Sequence, residues 1–487
     1  MTTAKTPEWV KHAIFYQIFP DRFARSARLP KPAHIEPWDT PPTEHGYKGG
    51  DLLGIVEHLD YLCDLGITAL YLCPIFASTS NHRYNTHDYL QVDPLLGGNE
   101  AFRTFLDEAH RAGIRIVIDG VFNHTARSFQ PFADILENGE ASPYRDWYRI
   151  LEWPPNAYDT SRPPGYWAWW NLHHMPTLNH DNPEVQAYIY QVARYWIEQG
   201  ADGWRLDVPF EIKTPGFWQG FRRVVKAANP EAYIVGEIWA EAQEWLQGDQ
   251  FDAVMNYLYA TWVIRYVIGE HVNHDAVFDR RPPVDEPITA REYAERIDEL
   301  LALYPWEIQC AQMNLLDSHD TARLLTVANG DVRRVKLAAL LQFTFPGAPC
   351  IYYGSEIGME GGRPDREARA TFPWDRPHLW NHELRDFYKR LIAMRKGHIA
   401  LRTGSYHRLY ADDDVYAFAR CQGDETALVV VNRADGTRRI TLNVGALCGK
   451  EHVALTRIYG GSGVDTLDNG HLEVVVPPCD GIVWYTA

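Results

Sequence analysis

Gly200-Ala201-Asp202-Gly203-Trp204-Arg205-Leu206-Asp207-Val208 is the stretch on which the reading of this chain turns. Gly200 and Gly203 punctuate the end of a helical pattern and the start of a strand, predicted over Gly203–Val208. Within it Leu206 and Val208 alternate with Arg205 and Asp207, so the two charged side chains point the same way. Lone charges are costly to bury, and a charged pair aimed together needs either mutual satisfaction or a ligand. A structural Arg205–Asp207 ion pair is the plain explanation, and the positions of the other carboxylates decide whether more is involved.

Working outward, the pattern on either side repeats. Strand-like runs occur at His12–Pro20, Thr68–Ile75, Ile114–Phe122, Tyr233–Trp239, Phe251–Tyr257, Gln312–Leu316 and Ala348–Tyr353. Helical patterns lie between most of them, such as Asp51–Leu65 ended by Gly66 and Ala101–Ala112 ended by Gly113. With Gly203–Val208 these make eight strands, and eight βα units imply a closed parallel barrel. Between His124 and Asp181 the rhythm stops in favour of a Trp-, Tyr- and Pro-rich stretch, too aromatic for a disordered linker. After Leu401 the helices give way to short alternating runs, Val415–Arg420, Thr426–Asn432, Arg438–Val444, Val453–Tyr459, Leu472–Val476 and Gly481–Tyr485. The predicted fold class is therefore α/β: a (β/α)8 TIM barrel, a small excursion domain after strand 3, and a C-terminal antiparallel β-sandwich. Residues 1–123 and 182–400 form the barrel, 124–181 the excursion over the cleft, and 401–487 the sandwich. A further insertion spans 271–305, with no role legible in its composition.

Composition narrows the function classes. The 487 residues are 46% hydrophobic and 23% charged, enough core for two or three domains. A formal charge of −17 argues against nucleic acid or an anionic membrane as partner but leaves neutral substrates open. Seventeen Trp and 27 Tyr, many in irregular stretches, supply flat rings of the kind that suit sugar faces. The seven Cys show neither metal-ligand nor redox spacing, Met1–Val10 is too polar for a signal peptide, and no run would span a bilayer. A cytoplasmic protein with reduced thiols is the expectation.

In such a barrel chemistry sits at the C-terminal ends of the strands. Strand 3 runs into Asn123-His124, strand 4 carries Arg205 and Asp207, strand 5 ends with Glu237, and strand 7 with His319-Asp320. Asp207 and Glu237 are 30 positions apart, about one βα unit, so they are predicted at equivalent heights on neighbouring strands. A retaining glycosidase needs two such carboxylates about 5–5.5 Å apart, one to attack the anomeric carbon and one to protonate the leaving oxygen. Arg205 beside Asp207 suits it to remain ionised as the nucleophile, and Ile238 and Trp239 around Glu237 suit it to hold a proton as the acid. Asp320 is a third carboxylate near the oxocarbenium-like transition state, and His124 and His319 are candidate donors to sugar hydroxyls. Trp239 joins the candidate sugar contacts.

The sequence resembles the α-amylase family of glycoside hydrolases over nearly its whole length. Asp119-Gly-Val-Phe-Asn123-His124, Gly203-Trp-Arg205-Leu-Asp207, Glu237-Ile-Trp and His319-Asp320 match the four signature segments of that family. Gly66–Pro74 and Gly347–Gly354 match two more. The resemblance implies Asp207 as nucleophile, Glu237 as acid/base, Asp320 as transition-state stabiliser, and Tyr84 as the ring under the cleaved sugar. It puts Asp365 and Arg369 at the next sugar on the non-reducing side. Met175-Pro-Thr-Leu-Asn179 is similar to a Met-Pro-Lys-Leu-Asn segment of the neopullulanase, cyclomaltodextrinase and maltogenic amylase branch, with Thr177 for Lys. Asp207-Val-Pro-Phe-Glu211 keeps the branch's Glu as Glu211 but has Phe210 for its Asn, which implies a more apolar acceptor site.

The implied activity is hydrolysis of α-1,4 and α-1,6 glucosidic bonds in cyclodextrins, maltooligosaccharides and pullulan-like substrates, with transglycosylation alongside. The chain starts almost at the first barrel strand, so it resembles the shorter debranching forms of cyanobacteria, and a homodimer would be built without the branch's N-terminal domain. No cofactor is expected: the loop that often binds calcium after Phe19–Phe23 reads Ala24-Arg25-Ser26-Ala27-Arg28, two cations where oxygen ligands are needed. A non-catalytic glucan-binding module would be marked by a lost carboxylate, and none is lost. A zinc site from His124, His173 and His174 fits no standard spacing.

Overall fold

Adding a Cβ at Gly203 would bring it within 2.4 Å of the Tyr233 carbonyl, so only glycine lets these two strands lie side by side. The computed structural model describes residues 5–277, 284, 286–445 and 454–486. Its central element is a parallel sheet of eight strands: β1 (Phe15–Ile18), β2 (Ala69–Leu72), β3 (Arg115–Gly120), β4 (Gly203–Leu206), β5 (Tyr233–Gly236), β6 (Ala253–Val254), β7 (Met313–Asn314) and β8 (Ala348–Tyr352). They are ordered β6-β5-β4-β3-β2-β1-β8-β7. A parallel bridge from Met255 to Met313, with the Asn256 N–H donating to the Met313 carbonyl at 2.8 Å, closes the ring between β6 and β7. The result is the (β/α)8 barrel, its core filled by Phe15, Tyr16, Leu70, Ile116, Trp204 and their neighbours.

Several boundaries differ from the pattern. β4 stops at Leu206 because Val208 takes a left-handed conformation (φ 36°), rare for a β-branched residue. β5 stops at Gly236 and β7 at Asn314, so His319 and Asp320 reach the site from a loop rather than a strand end. The helix expected over Asp51–Leu65 is two, Leu52–Val56 and Leu59–Leu65, with Asp51 capping the first through the Gly54 N–H. The break follows from His58, whose ring takes the Gly54 carbonyl at 2.8 Å while its own N–H turns to Ile55.

After β3 the chain leaves the barrel and builds a small unit around Phe132, whose ring meets Tyr148 and Tyr166 at 4.8 Å each. It contains one α-helix, Gln130–Asn138, is held together by bridges His124–Thr177 and Tyr148–Leu178, and is tied back by the Leu178 N–H donating to the Asn123 carbonyl. The C-terminal unit has a six-stranded antiparallel sheet and a two-stranded one, Arg438–Asn443 with His471–Val476. Their shared core includes Leu428, Val430, Leu442, Val474 and Trp484. Two of its strands, Ser405–Ala411 and Val464–Thr466, are additional to the pattern, and the one expected from Val453 is described from Ala454.

Of the 271–305 insertion, residues 278–283 and 285 lie outside the described residues. The rest includes a helix, Ala290–Ala302, opened by a Thr289–Glu292 capping box. Its first N–H groups donate to the backbone carbonyls of Asp413 and Asp412, and Tyr293 packs on Tyr266 and Tyr416, so this segment joins the barrel to the C-terminal unit. No helix among the described residues is long and apolar enough to cross a membrane.

Candidate active site

Asp207 and Glu237 each come one residue after a paired position, Leu206 opposite Gly236, and so emerge side by side at the same end of the barrel. Both carboxylates share Arg205, which is fully buried. Its Nη1 donates to Asp207 Oδ1 at 2.9 Å and to Asp119 at 3.0 Å. Its Nη2 lies 2.9 Å from Glu237 Oε2, an ion pair whose N–H does not point along the line to the oxygen. One guanidinium thus serves three carboxylates. Val208 N–H also donates to Glu237 Oε2 at 3.0 Å, and Trp239 Nε1–H donates to Oε1 at 3.0 Å. The strained Val208 backbone, of a kind that costs about 1–3 kcal/mol, is what aims that N–H at the carboxylate.

This corrects two expectations. Glu237 is not set in apolar surroundings: Ile238 is buried beside it, but the carboxylate oxygens themselves meet N–H donors. Nor does Arg205 alone decide the state of Asp207. Burial raises Asp207 well above the usual carboxylate range, Arg205 opposes that rise, and Glu237, Asp119 and Asp320 add to it. Asp207 therefore keeps a proton to higher pH than an isolated carboxylate would.

Asp320 faces the same cavity from the loop after β7. Its Oδ2 lies 3.0 Å from His319 Nε2, and its Oδ1 accepts from Arg369 Nη2 at 3.2 Å. Burial would lift Asp320, but His319 and Arg369 pull it well below the usual range. Burial alone would lower His319, yet Asp320 raises it to about 10, leaving an imidazolium at neutral pH. Arg369 also pairs with Asp365 at 3.1 Å and donates from Nε to the His319 carbonyl at 2.8 Å. Tyr84 stacks on His319 (5.4 Å, 5°) and its hydroxyl donates to Asp119 Oδ2 at 3.1 Å, which fixes its ring as part of the cavity wall.

His124 behaves otherwise than expected. Burial lowers it to about 4, so it is neutral, with Nε2–H donating to the Tyr84 carbonyl at 2.9 Å and Nδ1 accepting from Asn123 at 3.3 Å. Both nitrogens are engaged, and it presents a ring, parallel to Trp169, rather than a free donor. Glu211 lines a neighbouring cavity instead of this one. Phe210 is half-buried against the hydrophobic core.

The cavity measures about 410 Å³ and is lined by Asp207, Glu237, Asp320, Tyr84, Trp239 and Arg369 among others. Four contributors have no role assigned from the sequence. Asp119 and Tyr71, joined at 2.8 Å, hold Arg205 from below, and Asp119 was visible as the one charge in Ile116-Val117-Ile118-Asp119. Trp169 and Trp170 line the mouth, and only the aromatic excess of their segment hinted at them. No cluster of three or more metal-binding side chains occurs among the described residues; of the three histidines considered for zinc, His173 bonds to the Arg162 carbonyl.

Comparison with known proteins agrees with this geometry. The alpha amylase catalytic-domain family matches residues 17–397, and the neopullulanase-like C-terminal domain matches 406–485. A cyclomaltodextrinase from Geobacillus thermopakistaniensis is 46% identical over 91% of this chain and 72% of its own. The crystal structure of an acarbose-soaked debranching enzyme from Nostoc punctiforme superposes with a TM-score of 0.90 at 49% identity, covering 99% of this chain and 100% of that one. The cyclic α-maltosyl-(1→6)-maltose hydrolase from Arthrobacter globiformis, in complex with that sugar, gives 0.86 at 35% identity, with 99% and 100% covered.

Proposed function

The chain belongs to the alpha-amylase family of glycoside hydrolases, and from that premise we propose that it is a retaining enzyme for α-1,4-glucosidic bonds in cyclodextrins and maltooligosaccharides. One observation carries the reading: Asp207 and Glu237, one step beyond paired strand positions, are held by a single guanidinium and open on one cavity. Two carboxylates bridged in this way favour the close spacing of retention over the wider gap that must admit a water for inversion. Asp207 attacks the anomeric carbon as Glu237 protonates the leaving oxygen, which forms a glycosyl ester and releases the chain. Glu237 then takes a proton from water, which hydrolyses the ester and restores both groups. A sugar hydroxyl in place of that water gives transglycosylation. Asp320, ionised between His319 and Arg369, stabilises the positive charge that develops on the ring.

Cleavage at α-1,6 branch points is a second reading, favoured by the similarity to a debranching enzyme and to a hydrolase of an α-1,6-linked sugar. The chemistry uses side chains alone. The loop after β1 does not fit calcium: Arg25 lies over the Trp38 ring, and the nearby Asp51 carboxylate is taken up by Lys31, Ser26 and Gly54. The free thiols of the six described cysteines suit a cytoplasmic setting. Chromatography of products from cyclodextrin, pullulan and a branched oligosaccharide tests the reading. Panose from pullulan is the outcome for α-1,4 attack, maltotriose for α-1,6, and release of no sugar from any of them refutes it.

A further inference from the structure

Arg323 follows Asp320 by three residues in the loop after β7 and is fully buried. Its guanidinium lies over two aromatic rings, 4.4 Å from the Tyr352 centroid and 4.8 Å from that of Tyr353. Nη1 donates to the Tyr353 carbonyl at 2.7 Å and Nε to the Ala368 carbonyl at 3.0 Å. The Arg323 backbone N–H donates to the Gly361 carbonyl at 2.9 Å. One residue thus grips Gly361 with its main chain and Ala368 with its side chain.

Those two positions are the neck of a single loop. A Cβ at Gly361 would stand 2.3 Å from the Glu367 carbonyl oxygen and 2.8 Å from the Ala368 Cα, so glycine is what lets the ends close. The neck has further ties. The Tyr352 hydroxyl donates to the same Ala368 carbonyl at 3.1 Å, and the Gly361 N–H donates to Thr326 Oγ1 at 2.8 Å. Between the ends, Arg363, Pro364 and Asp365 line the catalytic cavity, and Arg369 lines it just beyond the neck.

The connection returns to where it started. Ala368 precedes Arg369, whose guanidinium pairs with Asp365 and Asp320 and donates to the His319 carbonyl. Asp320 and Arg323 share one loop, so the ring runs from Asp320 through Arg323, Ala368 and Arg369 back to Asp320. Binding groups are precise only when their own supports are locked by packing and hydrogen bonds. A displacement of about 1 Å caused by a change remote from the chemistry can cost 10²-fold.

We infer that Arg323 is a positioning residue, the clasp that sets the 361–369 loop against Asp320. It thereby holds Asp365 and Arg369 in place for a glucose unit on the retained side of the cleaved bond. Arg323 lines no part of the cavity and acts only through the groups it holds. The inference rests on the hydrolase reading above. A purely structural arginine would instead lower stability and leave the folded protein binding sugar as before.

The test is calorimetric binding of maltotetraose to Asp207→Asn protein, which retains the sugar without turning it over. Adding Arg323→Met should raise Kd about tenfold, the scale of losing one hydrogen bond to a charged group. In Asp207→Asn/Arg369→Ala protein the same change should move Kd less than about twofold, because the group being positioned is gone. A Kd that Arg323→Met leaves unchanged overturns the inference, as does an equal rise in both backgrounds, which would mark Arg323 as structural. If Arg323→Met does not fold, Tyr352→Phe takes one hydroxyl from the same carbonyl. A rise of about threefold that needs Arg369 then supports the clasp, and the same Kd change in both backgrounds, or none, overturns it. If wild-type protein cleaves no glucan the hydrolase reading fails, and the binding comparison still decides the clasp; Asp207→Asn protein that binds no maltotetraose overturns both.

Discussion

Arg205 on one side and Arg395 with Arg420 on the other are all completely buried, and the two places satisfy them in opposite ways. At the catalytic cavity Arg205 meets Asp119, Asp207 and Glu237, more negative charge than it can neutralise. Where the barrel meets the C-terminal unit, Arg395 and Arg420 meet only carbonyls. Arg395 donates to Phe343, Phe345, Gly347 and Leu401, and Arg420 to Thr344, Leu401 and Gly404. No carboxylate pairs with either among the described residues. Burial lowers both guanidinium values. Carbonyl dipoles hold a charge in place without offering anything that can ionise or attack. Surplus carboxylates around one cation do the reverse: they cost stability and leave a proton and an anion ready for use.

The largest expected effect comes from removing one of those carboxylates. Asp207→Asn should cut turnover by about 10⁶-fold, as loss of a nucleophile does. Its thermal midpoint should hold or rise, because two carboxylates then share Arg205 instead of three. Steady-state kinetics and calorimetry on the same preparation would show it. A variant that lost stability together with activity would mean that the crowding stabilises the fold, and the contrast between the two arginine sites would fall.

The complementary change is at the other arginine. Arg420→Met removes the donors to Thr344 and Gly404 and leaves those two carbonyls buried, while the Leu401 carbonyl keeps its bond from Arg395. Each orphaned group costs about 1–3 kcal/mol, so the denaturation midpoint should fall clearly while kcat/KM on maltooligosaccharides stays at the wild-type value. A change in kcat/KM at full folding would show that the interface reaches the site.

The two regions also differ in how far they were legible in the sequence. Asp207 and Glu237 could be placed side by side because a βα repeat fixes their spacing, and a repeat is a sequence property. His319 and Asp320 were assigned to a strand end, yet β7 is two residues long and a loop carries them in; loops follow no period. The left-handed Val208 has no signal at all, since no glycine or asparagine marks it. The half-burial of Phe210 against the core is equally unmarked, because a side chain's direction after a strand end depends on that same turn. The burial of Arg395 and Arg420 has no signal in the sequence, for partners that are backbone carbonyls leave no trace in residue types.

The smallest expected effect is on pH dependence, and it sharpens the comparison within the cavity. His319 is raised to about 10 chiefly by Asp320, while no such anion faces Arg395 or Arg420. A histidine whose folded value lies above its unfolded one contributes stability that is complete below about 6.5, and that contribution is lost as pH rises through about 10. Wild-type stability should therefore decline between those limits. Asp320→Asn removes the main cause of the shift, so its His319 should titrate near the ordinary value and its stability should lose that decline. Imidazole carbon chemical shifts, followed by NMR from pH 5 to 10.5, separate the two. If His319 titrates alike in both proteins, Gln17, whose amide lies 2.7 Å from Nδ1, governs its charge instead, and the charge surplus of the cavity no longer accounts for its behaviour.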